Sequence, residues 1–395
     1  MDYEFSDRLK NLESNAIREI FKLLSTPDMI SFAGGFPEAA ILPSDDIAEV
    51  SREILSSPEC AGILQYGASE GYMPLRKTTA EFVKRYGVEA TEKNITIISG
   101  GQQAIDLTCK AFLNKGDTVL VEEPTYLAVL HILKTYEANV YCVKSEADGL
   151  SLSDLEAKII AHKPKFIYLV PTFSNPTGKT VSLAKRKAIA EITSKYGVML
   201  LEDDPYSELR FEGERLPAIK SFDKTGNVIF AFSFSKTISP GLRTGICCAS
   251  PEVTHKIVLG KQATDVHTSH LSQAIINRYI EKGLFDKNLQ RMIPIYKEKR
   301  DLMLKAIEKY MPKSLRYTYP EGGLFIWGEF DADIDTGKVF PEAAARKVAY
   351  VPGQSFYSDG KTVHSLRFNY SMPSKEQIEK GMKILGDFFK EKLGE

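Results

Sequence analysis

The sequence is poor in the features that mark secreted, metal-binding and membrane chains. Its 395 residues hold five cysteines. Two of them, Cys247 and Cys248, are adjacent and none forms a CxxC pair, which excludes a disulfide framework and a zinc ribbon. Charge of one sign is missing too. Lys and Arg number 51 against 52 Asp and Glu, a net of −1, so the chain lacks the field of a general nucleic-acid binder. Long apolar runs are absent, and uncharged stretches such as 166–178 are broken by proline and too short to span a bilayer. The opening MDYEFSDRLK carries acids and has no apolar signal core, which points to a cytoplasmic chain. What is present suits an enzyme: an apolar content of 43% and a length sufficient for more than one core.

Between about residues 94 and 250, short apolar runs alternate with longer amphipathic ones. NITIIS, TVLVE, NVYCV, KFIYLV, GVMLLE and NVIFAFS are rich in Val, Ile and aromatics and predict strands. GQQAIDLTCKAFLNKG and SLAKRKAIAEITSKYG, each closing near glycine, predict helices between them. Such alternation implies an α/β fold, a three-layer, mostly parallel sheet with helices on both faces. Beyond Pro251 a charged helical region runs to about Met311 with an expected break at Pro294. A hairpin around LRYTYPEGGLFIWGEF, a strand at HSLRFNYS and a last amphipathic helix then predict a smaller α+β domain.

In open α/β sheets ligands bind beyond the carboxyl ends of the strands, so the residues after each strand carry the chemistry. KFIYLV leads into PTFSNPTG, GVMLLE into DDPYSEL, NVIFAF into SFSKTISPGLRTG and NITIIS into GGQQ. Lys236 lies among Ser233, Ser235 and Arg243 in a Phe-rich segment. A lysine so placed loses hydration, its pKa falls, and the neutral amine can form a Schiff base with a carbonyl. The serines and the arginine suit a phosphate. Asp203 suits a protonated ring nitrogen, Asn175 and Tyr206 suit a phenolic oxygen, and the GGQQ turn offers backbone N–H groups to an anion. Singly, each has a plainer reading: a snorkelling lysine, a helix cap, a turn. Together, in this order at four strand ends, they point to a pyridine cofactor.

These motifs resemble the pyridoxal-phosphate aminotransferases of fold type I, class I/II, and most of all the branch of α-aminoadipate and kynurenine aminotransferases. ISFAGGFPEAAILP, LQYGASEGYMPLR, SGGQQAIDL, EEPTY, SNPTG, EDDPY, SFSKTISPGLRTG and LRFNYS occur in the family's order over nearly the whole chain. The resemblance implies pyridoxal 5′-phosphate as cofactor and Lys236 as the Schiff-base lysine that also shuttles the proton. It implies Asp203 on the ring nitrogen, Asn175 and Tyr206 on the ring oxygen, and Tyr126 stacked on the ring. Gly101, Gln102, Ser233, Ser235 and Arg243 would hold the phosphate, joined by Tyr66 from a partner subunit in a homodimer. Arg367 would bind the substrate α-carboxylate beside Gly35, with Asn175 nearby. One departure stands out: where the branch commonly has GSQQ, Gly101 replaces the serine and leaves only a backbone N–H. The matching organisation is an N-terminal segment (1–40), a large cofactor-binding domain (41–290) and a small α+β domain (291–395).

The implied activity is transfer of an amino group from an L-amino acid to a 2-oxo acid, 2-oxoglutarate being the expected acceptor, in a ping-pong cycle. A β-eliminating lyase would share every cofactor residue. A ligand-sensing regulatory domain on the same fold would need an N-terminal DNA-binding module, and the motifs begin by Ile30. Arg18, in SNAIREIFKLL, adjoins a predicted helix face of Ile17, Ile20, Phe21 and Leu24. It is either a solvated charge or, by the resemblance, a mobile partner for a distal substrate carboxylate. Other signals carry less. PTGKT lacks the first glycine of a Walker motif, His267 and His270 have no third metal ligand at suitable spacing, and LAKRKAIAEI reads as a solvated helix face.

Overall fold

The computed structural model describes residues 3–10, 12, 28–360 and 364–395. Strand β1 (Ile30–Ser31) comes first and belongs to the smaller half of the molecule. The central sheet contains β2 (Ile95–Ile98), β3 (Thr118–Glu123), β4 (Asn139–Glu146), β5 (Gly149–Leu150), β6 (Phe166–Leu169), β7 (Met199–Asp204), β8 (Val228–Ser233) and β9 (Gly245–Cys248). Their spatial order is β2-β9-β8-β7-β6-β3-β4-β5. The neighbours from β8 through β4 are parallel, whereas β9 runs antiparallel to both β2 and β8. The six expected strands are present, and the adjacent Cys247 and Cys248 are buried in β9.

Alternate residues of these strands serve opposite faces. Phe166 and Tyr168 of β6 join one apolar core, with Ile105 and Leu107 from the helix Gly101–Phe112. Ile167 and Leu169 join another, with Ile189 from the helix Leu183–Tyr196. A sheet covered in this way needs apolar residues at every position, which is why these segments read as continuous runs. The second helix closes on Gly197, whose φ of +63° is the left-handed stop expected of glycine there.

Two expectations fail here. The helical region does not break at Pro294. One helix runs from Leu284 to Tyr310 with Pro294 inside it. Its first half buries Phe285, Leu289 and Met292 in the large core, and its second half buries Met303, Leu304 and Ile307 in the small one. Packing on both sides of the proline offsets the loss of one backbone hydrogen bond. The interruptions fall earlier, at 263–269 and at Lys282–Gly283, where the φ of Gly283 is +68°. Nor is LAKRKAIAEI a solvated face. Lys185 and Arg186 are buried, on the same stripe as Ile189 and Ala190, while Leu183 is exposed. Arg186 donates to the carbonyls of Pro171, Val181 and Pro217 and to the Thr172 hydroxyl, so local oxygens replace its hydration.

The smaller sheet orders β10 (Leu315–Tyr317), β11 (Phe325–Phe330), β14 (Ser365–Asn369) and β13 (Val351–Pro352), all antiparallel. β12 (Val348–Ala349) pairs in parallel with β1, carrying residues 30–36 to this sheet, and Asn369 then donates its N–H to the Phe32 carbonyl at 2.7 Å. The helix Lys375–Leu393 covers it through Ile378, Met382 and Leu385. No helix among the described residues is long and apolar enough to cross a membrane.

Candidate active site

A cavity of about 320 Å³ opens at the carboxyl edge of the central sheet, floored by Asp203, Ser233 and Lys236 and roofed by Ala33–Phe36 and Arg367. The loops after β2, β6, β7 and β8 reach it because those four strands point the same way. Arg243 joins them by the opposite route. Gly245, the first residue of antiparallel β9, is in register with Ile98 and Ser233, so the start of β9 lies where β2 and β8 end.

At this edge Gly101 opens the helix Gly101–Phe112, with exposed Gln102 beside it. Gly100, at φ +86°, lies against Arg243: a Cβ there would come within 2.3 Å of Nη2. Arg243 Nη2 donates to the Ser99 carbonyl at 3.0 Å, and Ser233 Oγ donates to Ser235 Oγ at 3.0 Å. A Cβ at Gly101 would meet Asp203 and Ser233 only at 3.7 Å, so no clash demands glycine at this position. Serines, an arginine and a helix N-terminus on one rim form an anion seat.

The floor is electrostatically unusual. Lys236 Nζ donates to the Gly35 carbonyl at 2.7 Å, and burial, with Arg243 and Arg367 nearby, lowers its pKa to about 8. Asp203 is pushed up to about 7 by burial, partly offset by the Tyr168 hydroxyl, which donates to Oδ2 at 2.8 Å. Tyr126 caps the helix Leu127–Thr135 and lines the cavity, its phenol raised to about 12 by burial. Tyr206 and Asn175 are both buried. Asn175 Oδ1 accepts from Arg367 Nη1 at 2.8 Å.

Arg367, from β14, closes the roof. Its Nη2 donates to the Ala33 carbonyl at 2.7 Å, and the guanidinium lies 4.3 Å over the Phe325 ring. Among the described residues the Nε atom is buried without a partner, and burial depresses the group to about 10. Gly35 passes close by: a Cβ on it would lie 3.3 Å from Phe325 and 4.0 Å from Arg367 Nη2. A buried acid with no salt bridge among the described residues, a depressed lysine and an under-satisfied guanidinium around one cavity are costly unless a ligand pairs with them. They fit a ligand with a protonated ring nitrogen, a carbonyl carbon and a phosphate, together with a substrate carboxylate. Pyridoxal phosphate and an amino acid have those groups.

Of the expected site residues, twelve line this cavity: Gly35, Gly101, Gln102, Tyr126, Asn175, Asp203, Tyr206, Ser233, Ser235, Lys236, Arg243 and Arg367. Tyr66 does not. It is 82% exposed, edge-on to the His267 ring at 5.9 Å. Arg18 lies outside the described residues. His267 and His270 pack with ring centroids 5.0 Å apart, and His267 Nδ1 lies 2.8 Å from the Thr268 carbonyl. Sequence reasoning missed Tyr168, whose only signal is a phenol inside an apolar strand, and the Phe325 ring under Arg367.

A three-layer α/β fold with this site defines a pyridoxal-phosphate enzyme. Comparison with known proteins gives the family. The model for "Aminotransferase class I and II" matches residues 27–385, and the chain belongs to that family. It is 39% identical to aromatic-amino-acid aminotransferase 1 of Thermococcus litoralis, over 100% of this chain and 96% of that protein. Pyrococcus horikoshii kynurenine aminotransferase, solved with PMP, superposes with a TM-score of 0.94 at 38% identity, covering 98% of this chain and 97% of that one. The α-aminoadipate aminotransferase LysN of Thermus thermophilus, solved with N-(5'-phosphopyridoxyl)-L-leucine, gives 0.91 at 34% identity, covering 99% and 98%. The protein is an aminotransferase, and its cofactor is pyridoxal phosphate.

Proposed function

We propose that the enzyme moves the amino group of an L-amino acid to 2-oxoglutarate in two half-reactions, with Lys236 as the cofactor-linked lysine. The observation that carries this reading is Lys236 itself, a half-buried amine lining the cavity with its pKa lowered to about 8, between Asp203 and the arginines of the two rims. Bound pyridoxal phosphate supplies an electrophilic carbon for the amino group and an electron sink for the Cα–H bond. Asp203, kept ionised by a protonated ring nitrogen, sustains that sink, and the Tyr168 hydroxyl holds its carboxylate in place. Asn175 and Tyr206, both lining the cavity, would hydrogen-bond the ring oxygen, and Tyr126 would stack on the ring. Ser235, Ser233, Arg243 and the N–H groups of Gly101 and Gln102 hold the phosphate. Arg367 would grip the α-carboxylate beside Gly35. Lys236 Nζ, released from the Gly35 carbonyl, would take the Cα proton and return it to the cofactor's C4′ carbon, on the far side of the transferred nitrogen.

The exposed Tyr66 ring completes a neighbouring phosphate seat in a homodimer with shared sites. Relatives named for aromatic amino acids and kynurenine support aromatic donors, and the aminoadipate relative supports an acidic one. Arg18 is the proposed partner of that second carboxylate. Borohydride reduction and peptide mapping test the core of the reading. The pyridoxyl label is expected on Lys236, and a label on another lysine contradicts it. A donor panel of tyrosine, kynurenine and 2-aminoadipate against 2-oxoglutarate then reads the side-chain preference.

A further inference from the structure

Beneath the phosphate rim lies a charged pair that the reaction does not use. Lys261, near the end of the helix Pro251–Gln262, has no exposed side-chain surface, yet it carries an ammonium. Its Nζ donates to Asp265 Oδ1 at 2.9 Å, to Gln103 Oε1 at 2.8 Å and to Thr268 Oγ1 at 2.9 Å. Burial holds the amine below the usual lysine range, and Asp265 opposes that shift.

Both partners of the lysine turn back to one residue. Gln103 Oε1 also accepts the Ser99 backbone N–H at 2.7 Å, and Asp265 Oδ2 accepts the Ser99 hydroxyl at 2.8 Å. Asp265 Oδ2 further accepts from Gln103 Nε2 at 2.8 Å, so the three side chains form one closed network. Ser99 in turn presents its carbonyl to Arg243 at 3.0 Å and precedes the Gly100–Gly101 turn. The N–H, hydroxyl and carbonyl of Ser99 are therefore all committed, two of them to groups that Lys261 holds.

We propose that Lys261 and Asp265 are positioning residues for the cofactor phosphate: the pair fixes Ser99, and through it the N–H groups of the turn and the guanidinium of Arg243. This rests on the reading that the turn and Arg243 seat the phosphate. A pair of opposite charges adds little net field, so its effect is geometric. Preorganised donors bind an anion without the cost of ordering them at the moment of binding. The i,i+4 spacing in KQATD carries no hint of this, because the same pattern on an exposed helix is an ordinary surface pair.

The test compares pyridoxal phosphate with pyridoxal, which lacks the phosphate, by equilibrium titration of the full chain. Lys261→Met and Asp265→Asn should each weaken pyridoxal phosphate by about 10–100-fold, the loss of one or two charged hydrogen bonds' worth of ordering. Pyridoxal affinity should change less than about threefold. The ³¹P resonance of the holoenzyme should shift in both variants. Asp265→Asn keeps the side chain's size and carries the test if Lys261→Met fails to fold. Equal losses for both ligands, or none, would overturn the proposal. Tighter phosphate binding in Asp265→Asn would overturn it too, since removing a negative charge favours an anion if charge alone matters. Arg243→Ala is the control for the underlying reading. If that variant keeps its preference for the phosphorylated ligand, the phosphate seat is misassigned and the pair's role falls with it. If only the pair's variants keep the preference, the seat stands and the pair is structural.

Discussion

The two ends of the cavity are built differently. The proposed phosphate end draws on the adjacent strands β2, β9 and β8, so its residues arrive at one sheet edge by register alone. The proposed carboxylate end is assembled from Ala33–Gly35, Asn175 and Arg367, with hydrogen bonds spanning 192 and 334 residues of chain. Its arginine comes from the smaller sheet. The first end is held by backbone and paired side chains before any ligand arrives. The second keeps a buried guanidinium whose Nε has no hydrogen-bond partner among the described residues. A cofactor that stays and a substrate that leaves are served by these two designs.

Lys236 belongs to both ends, so Lys236→Ala should have the largest effect. Steady-state transamination should fall by on the order of 10⁴ or more, with pyridoxal phosphate still bound through its phosphate. At the carboxylate end alone, Arg367→Leu should lower kcat/KM by about 10²–10³ for every donor. Its cofactor affinity should stay near wild type, and a parallel loss of cofactor would show that the ends are not separable. The pH dependence of cofactor uptake sharpens the comparison further. Only the neutral amine is nucleophilic, and a pKa lowered to about 8 means that neutral Lys236 accumulates as pH rises through that value. Uptake by the cofactor-free chain should therefore climb with a midpoint near 8, rather than near the ordinary lysine value of about 10.4. The smallest effect expected is from Tyr168→Phe, which removes one hydrogen bond to Asp203. The half-reaction should slow by about three- to tenfold, with cofactor and substrate affinities little changed.

The same contrast explains what the sequence could reveal. Strands β2, β6, β7 and β8 are legible because burial on both faces leaves unbroken apolar runs, and the polar residues after them share one edge by a general rule of parallel sheets. Lys236 is legible because serines and an arginine crowd a lysine in a Phe-rich segment. Arg186 and Lys261 are not, since a charged residue in a helical pattern reads as solvated until the structure supplies carbonyls or a carboxylate around it. Pro294 misleads for a related reason: a local rule predicts a break, and the two cores on either side overrule it. The carboxylate end has no local signature beyond LRFNYS, because its partners meet only through the pairing of β1 with β12 and of β14 with β11.

Amino transfer through Lys236 is tested most directly by a nitrogen balance in a single turnover. Excess tyrosine, mixed with the holoenzyme in the absence of an acceptor, should yield at most one equivalent of the matching 2-oxo acid per site and no free ammonia. Adding 2-oxoglutarate should then release the held nitrogen as glutamate. Ammonia released without an acceptor, or a turnover that continues when none is supplied, would contradict the account.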